Sequence, residues 1–220
     1  MKYGAVLFDF DGTLTPSLPL WVKAYHLGLL HFDIELSDAE LIRRCFFREW
    51  NEVAAELRIA SAEELRDQVH LGLRSAFLEA RLFPLVPTLL RQCRAHGLQT
   101  ALVTSSPREI VAEVLPRLDL DSQFDFVICG DDVANYKPHP EPVLTTLAAL
   151  GRRAHEAIMI GDSRVDILAG KAAGTSTALF LPDDGGGFHS PEALRATNPD
   201  YIFADHGELP ALLGLPEHLR

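Results

Sequence analysis

The chain has 220 residues, of which 47% are hydrophobic, which is enough for a buried core and is not typical of a disordered sequence. Its formal net charge of −11 disfavours a nucleic acid or an anionic membrane as partner, because both need a basic surface. The three cysteines lie far apart in the sequence, and we find neither a secretory signal nor an apolar run of membrane-spanning length, so we expect a reduced, cytoplasmic protein.

Two acids follow the first predicted strand. Ala5 to Phe8 is an apolar run that predicts a buried strand, and Asp9 and Asp11 come directly after it. Because side chains alternate along an extended chain, both carboxylates are expected on the same side, where they repel each other unless one is protonated or a cation joins them. Mg²⁺ suits this position, although the acids could instead cap the turn that follows.

An all-helical insertion is predicted after the first strand. Apolar residues recur there at spacings of three and four, and prolines bound the region on both sides. We predict helices over 20–30, 38–47, 49–57 and 62–83. Ser37 with Glu40 and Ser61 with Glu64 have the spacing of capping boxes. The predicted division is a core formed by 1–15 and 84–220 and a cap formed by 16–83.

Strands and helices alternate through the rest of the chain. We predict helices over 88–96, 107–118, 140–150, 164–173 and 208–213, and strands over 99–103, 124–129, 157–160, 176–181 and 201–204. This order favours an α/β fold with a doubly wound, mainly parallel, Rossmann-like sheet. In such sheets ligands bind beyond the carboxyl ends of the strands. The glycine-rich segment 183–187 lacks the helix of a phosphate-binding loop, and we assign it no function.

Polar side chains follow the later strands as well. Thr104, Ser105 and Ser106 stand at the mouth of a predicted helix, where they could bind an anion or simply cap the helix. Lys137 follows the next strand and could act on a phosphoryl group, although most lysines are only solvated.

A second pair of acids follows a fourth strand. Asp162 stands at the strand end and Asp166 one helical turn later, so both can face one point. A helix N-terminus favours acids and explains one of them. It does not explain why a buried strand brings two more acids to the same edge of the sheet as Asp9 and Asp11.

Four segments in this order resemble the motifs of the haloacid dehalogenase-like hydrolase superfamily. They are DFDGTLT at 9–15, VTSS at 103–106, YKPHPEP at 136–142 and GDSRVD at 161–166. The helical insertion resembles the cap of the phosphoglycolate phosphatase and β-phosphoglucomutase branch. The resemblance covers nearly the whole chain.

The resemblance implies an Mg²⁺-dependent phosphatase that forms an aspartyl-phosphate. By similarity, Asp9 is the nucleophile and Asp11 the general acid and then the general base. The Asp9 carboxylate, the Asp11 backbone carbonyl and Asp162 would hold the ion, with Asp166 assisting directly or through water. Thr104, Ser105 and Lys137 would bind the phosphoryl oxygens, and Lys137 would also act in catalysis, by neutralising the growing charge and keeping Asp9 ionised.

Residues of the helical insertion bear on the choice of substrate. Arg48 matches an arginine that reaches into the site in relatives, and a solvated role is equally open. Sugar-phosphate mutases carry a histidine at the position where this chain has Trp21, so Trp21 disfavours the mutase alternative. Trp21, Phe46, Phe47 and Trp50 could line a pocket or pack helices together.

We expect a small phosphorylated metabolite as substrate, phosphoglycolate-like or a sugar phosphate, and a monomer or homodimer. The alternatives are phosphoryl transfer within a sugar phosphate, hydrolysis of pyrophosphate, and a non-catalytic binding protein on the same scaffold.

Overall fold

A six-stranded parallel sheet carries the fold in the computed structural model, which describes residues 2–183 and 190–216. The strands are β1 (Ala5–Phe8), β2 (Gln99–Val103), β3 (Phe126–Ile128), β4 (Ala157–Gly161), β5 (Ser176–Phe180) and β6 (Tyr201–Phe203). Their order across the sheet is β3-β2-β1-β4-β5-β6, so the order reverses at β1. This arrangement confirms the predicted α/β class and brings the ends of β1, β2 and β4 next to one another.

Helices make up most of the remaining structure. They are α1 (Leu18–Leu30), α2 (Asp38–Cys45), α3 (Trp50–Leu57), α4 (Ala62–Ala76), α5 (Val86–Ala95), α6 (Arg108–Arg117), α7 (Glu141–Leu150), α8 (Arg164–Ala173), α9 (Pro191–Arg195) and α10 (Leu209–Leu213). Within the described ranges, no helix has the length and apolar character needed to cross a membrane.

Both faces of the sheet are covered. On one face, α7 and α8 pack against alternate strand residues, among them Leu7, Val103 and Met159. The intervening residues, such as Phe8 and Ile160, are also completely buried. Because successive side chains point to opposite faces, strands that are buried at every position need helices on both sides, and their sequences read as continuous apolar runs.

The chain divides into two compact units, residues 1–16 with 81–220 and residues 17–80. Helices α1 to α4 form the second unit, and its largest helix pairing is α1 with α4. The Gly28 and Gly72 positions leave no room for a side chain, because an added Cβ would lie 2.8 Å from the Val69 nitrogen and 2.4 Å from the Ala24 oxygen, respectively. The bounds predicted from the sequence were 16–83.

The predicted helix over 62–83 is too long. Helix α4 ends at Ala76, and a 3₁₀ turn, Phe77–Glu79, follows. Phe83 continues the apolar pattern for a different reason, since its N–H donates to the Leu14 carbonyl at 3.0 Å and its ring packs 5.2 Å from that of Phe180. The pattern therefore continued past the helix because Phe83 belongs to the sheet-containing unit.

The two predicted capping boxes have different outcomes. The Ser37–Glu40 box is present in both directions, whereas at Ser61 only one half is present, in which the Ser61 hydroxyl accepts from the Glu64 N–H. The short helix α9 was not predicted. Apart from its first residue, the predicted loop 183–187 lies outside the described residues.

Candidate active site

Lys137 joins the end of β1 to the start of α8. Its ammonium lies 2.7 Å from Asp9 Oδ1, 2.6 Å from Asp166 Oδ1 and 2.7 Å from the Val103 carbonyl oxygen. An ammonium has three N–H donors, so each one has an acceptor here. The lysine side chain is only 3% exposed, which excludes the ordinary solvated role. Although burial opposes its charge, Asp166 and Asp9 together raise the Lys137 pKa above its ordinary value.

Three buried acids converge beside this lysine. One carboxylate oxygen each from Asp9, Asp162 and Asp166 lies within 4.8 Å of the others. Burial, and then the charge of Asp166, raises the pKa of Asp9 to about 7, although Lys137 works in the opposite direction. For Asp162, burial followed by the charges of Asp9 and Asp166 raises the pKa well above its usual range. The carboxylates therefore need more positive charge than one lysine supplies.

This donor set fits a hard divalent cation. If all are ionised, three carboxylates and one ammonium leave two negative charges in excess, which is the charge of one such ion. Carboxylate oxygens are the ligands that Mg²⁺ prefers, and it binds through one or two of them together with waters and substrate oxygens. Of the three acids, Asp166 is already engaged at both oxygens, by Lys137 and by the Ser163 N–H and hydroxyl at 3.1 and 2.5 Å.

Two glycines make this crowding possible. Gly12 has φ +79°, and a Cβ added there would lie 2.0 Å from Asp162 Oδ2. A Cβ at Gly161 would lie 2.3 Å from the Asp166 Cβ. Only residues without a side chain allow the loop after β1 and the turn after β4 to approach these carboxylates so closely.

We expect Gly12→Ala to destabilise the protein by about 2 to 5 kcal/mol, because it combines a strained left-handed backbone with a displaced Asp162. Gly97→Ala is the matched control, since Gly97 has φ +74° and nothing lies within 4 Å of its added Cβ. That variant should lose only the free energy of unfolding that the strained left-handed backbone costs, about 1 to 2 kcal/mol. Urea unfolding in the absence of metal measures both, and equal losses would contradict the crowding at Asp162.

The expected repulsion between Asp9 and Asp11 is present, since the charge of Asp11 raises the pKa of Asp9, but the charge of Asp166 raises it more. Among the described residues, the three-acid cluster of Asp9, Asp162 and Asp166 does not include Asp11. The Asp11 carboxylate instead accepts a hydrogen bond at Oδ2 from the Ser106 hydroxyl at 2.5 Å. The strict alternation of an extended strand ends before Asp11, because β1 ends at Phe8 and the chain turns through Gly12.

The hydroxyl residues follow β2. Thr104 and Ser106 are buried, whereas Ser105 is exposed. The Ser106 N–H donates to Thr104 Oγ1 at 3.0 Å, and a hydroxyl that accepts in this way can still donate its own hydrogen. Pro107, predicted as the first helical residue, is the N-cap of α6, and the side-chain cap considered for Ser106 is not formed.

Two further residues that hold parts of the site in place were not predicted from the sequence. Ser163 is the N-cap residue of α8, and its N–H and hydroxyl both donate to Asp166 Oδ2. His206 is buried, and its Nε2 lies 2.7 Å from the Thr13 carbonyl oxygen, which can only accept, so this nitrogen donates. The His206 ring packs against Phe83 and Phe180, and burial lowers its pKa. The capping-box spacing of Ser163 and Asp166 could have indicated the role of Ser163. No local sequence pattern indicates the role of His206.

The remaining candidates lie in the unit of residues 17–80. Arg48 Nη1 donates to Glu56 Oε2 at 3.0 Å, and its Nε lies 3.6 Å from Glu52 Oε2, so its charge is engaged within this unit. The aromatic residues considered for a pocket have aromatic neighbours there: Trp21 with Phe77, Tyr25 with Phe46 and Trp50, and Phe46 with Phe47. The predicted contact of Arg48 with substrate stays a prediction.

Comparison with known proteins identifies the same family as the four sequence motifs. A family model described as haloacid dehalogenase-like hydrolase matches residues 6–180. A phosphoglycolate phosphatase of Yersinia pestis is 33% identical over 223 residues, which is 96% of this chain and 93% of the relative.

Solved structures share the fold. A predicted phosphoglycolate phosphatase from Haemophilus somnus 129pt has a TM-score of 0.84 at 21% identity, covering 97% of this chain and 99% of that one, and at this identity it shows the fold alone. A predicted β-phosphoglucomutase from Thermotoga maritima has a TM-score of 0.78 at 27% identity, covering 96% and 99%.

Proposed function

This chain belongs to the haloacid dehalogenase-like hydrolase family and is a phosphatase of that family, and from this premise we propose that it is a magnesium-dependent enzyme that hydrolyses a small phosphorylated metabolite through an aspartyl-phosphate on Asp9. The observation that carries the proposal is the buried contact of Lys137 with both Asp9 and Asp166, beside Asp162. Buried groups whose pKa values are shifted by charged neighbours, as those of Asp9 and Lys137 are, cluster at functional sites.

Asp9 is the nucleophile. One of its oxygens accepts from Lys137, which holds the carboxylate in place and favours its ionised, nucleophilic form. Attack by an anion on a phosphoryl group that is itself anionic requires nearby positive charge. Lys137 is close enough to supply part of that charge to the transferring group.

Asp9, the Asp11 backbone carbonyl and Asp162 would hold the magnesium ion, and Asp166 would act through water. The position of Asp166 supports this division, because its oxygens already accept from Lys137 and Ser163. When bound, the ion supplies charge neutralisation and Lewis acidity at the transferring phosphoryl group.

Thr104, Ser105 and Lys137 would bind the phosphoryl oxygens. Thr104 and Ser105 follow β2 at the start of the loop to α6, and Lys137 already contacts the carbonyl of Val103, the residue before Thr104. Hydroxyl and ammonium donors that are fixed in this way stabilise charge without reorganisation during the reaction.

Asp11 supplies the proton for the leaving group and then takes one from water. A leaving alkoxide needs a proton, whereas a halide does not, so an acid two residues after the nucleophile favours phosphate esters as substrates. The position of Asp11 beside Ser106 keeps its carboxylate available near Asp9 without joining the acid cluster.

Phosphoglycolate is the substrate class that the relatives suggest first. It is the substrate named for the Yersinia pestis relative, and a small anion is compatible with an acidic protein whose candidate site combines a buried lysine with a donor set for a divalent cation. A second candidate is phosphoryl transfer within a sugar phosphate, which the likeness to the Thermotoga maritima protein favours.

Release of inorganic phosphate from a panel of phosphorylated metabolites tests the proposal. The panel contains phosphoglycolate, β-glucose 1-phosphate and pyrophosphate, each with Mg²⁺ and with excess EDTA. We expect EDTA-sensitive phosphate release that is greatest with phosphoglycolate. Isomerised sugar phosphate without phosphate release would favour the mutase, and the absence of any turnover would favour the non-catalytic alternative. Arg48→Ala, tested on the same panel, would show through KM whether this arginine contacts substrate.

We expect Mg²⁺ to stabilise the protein against heat, because it relieves the repulsion among the three acids. At a concentration of 100 times its Kd, one bound ion adds about 2.7 kcal/mol of unfolding free energy. Asp162→Asn should abolish this shift and raise the melting temperature of the metal-free protein, since burial and its acidic neighbours disfavour the Asp162 charge. Differential scanning fluorimetry with Mg²⁺ or EDTA measures both effects.

The exposed Asp121 provides the control for this experiment. Asp121→Asn should keep the full magnesium shift. A shift of wild-type size in Asp162→Asn would show that the ion binds elsewhere.

A further inference from the structure

Ser106 holds Asp11 through a hydrogen bond between two loops that are distant in sequence. The Ser106 hydroxyl lies 2.5 Å from Asp11 Oδ2, and Ser106 itself is buried, with 2% of its surface exposed. Pro107 is the N-cap of α6, and the first N–H of this helix, that of Arg108, donates to Asp131 Oδ1 at 2.9 Å. The Ser106 hydroxyl is therefore directed at Asp11 and not at the helix end. A bond of this length to a carboxylate is typical of the stronger, charge-assisted class.

The serine is held rigidly on the opposite side. Its N–H donates to Thr104 Oγ1 at 3.0 Å, and its carbonyl accepts from the Gly130 N–H at 3.1 Å. A Cβ at Gly130 would lie 2.5 Å from the Ser105 oxygen, so the loop after β3 packs directly on this segment. Ser106 is therefore a fixed donor.

We propose that Ser106 is a positioning residue that orients the Asp11 carboxyl group for proton transfer, an inference that rests on the proposed function. A hydrogen bond from a rigidly held donor to one carboxyl oxygen restricts the orientations that the whole, partly exposed Asp11 carboxyl group can adopt.

The step that depends on this orientation is departure of the alcohol. A bond forms between an Asp9 carboxylate oxygen and phosphorus, and the bond from phosphorus to the ester oxygen breaks with its electron pair left on that oxygen. The Asp11 carboxyl proton passes to the same oxygen, so the product leaves with a hydroxyl group in place of an alkoxide and Asp11 becomes a carboxylate. Ser106 does not touch the substrate in this step; it fixes the group that gives the proton.

The dependence on the leaving group provides a specific readout. p-Nitrophenolate is a stable anion and leaves with little help from an acid, whereas the alkoxide of phosphoglycolate requires its proton. We expect Ser106→Ala to lower kcat/KM for phosphoglycolate by about 10- to 100-fold, the range for a hydrogen bond to a charged group, and to lower it less than about 3-fold for p-nitrophenyl phosphate. Ser106→Thr, which keeps the hydroxyl, should restore most of the loss.

The ratio of the two kcat/KM values is measured on one preparation, so it is independent of the fraction of protein that is folded. Ser105→Ala is the neighbouring control and should affect both substrates alike, because a phosphoryl contact is common to them. In an Asp11→Asn background, Ser106→Ala should cause no further loss on phosphoglycolate.

Equal losses of Ser106→Ala on both substrates, no loss on either, or a full additional loss in the Asp11→Asn background would each overturn the proposal. Failure of the proposed function is recognised separately. In that case neither substrate would release phosphate in the wild-type protein, or Asp9→Asn would remain active.

Discussion

Asp9→Asn is expected to abolish phosphatase activity while leaving the metal-free protein at least as stable as the wild type. The substitution keeps the size of the side chain and removes the nucleophilic oxygen, so kcat should fall by at least about 10⁴-fold. Stability should respond in the opposite direction, because burial and the neighbouring Asp166 raise the Asp9 pKa to about 7 and so disfavour its ionised form. An amide in this position relieves that repulsion and can still accept from Lys137 through its oxygen.

Steady-state assays with Mg²⁺ and thermal melting in EDTA measure the two effects together. Acid quenching during turnover of ³²P-labelled substrate should trap a labelled protein in the wild type and none in Asp9→Asn. The exposed Asp121→Asn provides a charge-matched control that should keep full activity. Turnover by Asp9→Asn above about 1% of the wild-type rate would exclude the aspartyl-phosphate mechanism.

Lys137→Met is expected to reduce both activity and stability. The substitution keeps much of the apolar length of the side chain and removes three donors, which leaves Asp9, Asp166 and the Val103 carbonyl without them. Removing one partner of a buried ion pair typically costs about 3 to 5 kcal/mol. The catalytic rate should fall by about 10²- to 10³-fold or more, since the lysine is also expected to stabilise charge on the transferring phosphoryl group.

Urea unfolding and phosphate release measure these losses. Lys23→Met is the control, because Lys23 pairs with Glu79 at 2.6 Å but both side chains are largely exposed, and such pairs contribute about 0 to 1 kcal/mol. The double variant of Lys137→Met with Asp166→Asn should regain part of the stability and none of the activity. A loss below about 1 kcal/mol for Lys137→Met alone would contradict the contacts assigned to its ammonium.

Local patterns were sufficient for much of the fold. The predicted bounds of β2 and α8 agree with the structure, because a buried parallel strand is a continuous apolar run and α8 ends at a glycine with φ +81°. The capping box at Ser37 could also be predicted from the sequence, since its partners are only three residues apart. The end of α4 was wrong because Phe83 is apolar for contacts with Phe180 and His206, and periodicity cannot distinguish such contacts from helix packing.

What the sequence by itself determined was the set of polar residues at the strand ends. In a parallel sheet every strand carboxyl end meets the same edge, so Asp9, Thr104 and Asp162 had to lie near one another once the strands were recognised. Only the tertiary structure decided which side chains touch. Lys137 and Asp9 are 128 positions apart and Ser106 and Asp11 are 95 apart, and whether such groups come within hydrogen-bond distance depends on loop conformations that no local spacing encodes. The crowding of Asp9 with Asp162 and Asp166 has the same origin, because the approach of the two loops depends on the space left by glycines at 12 and 161.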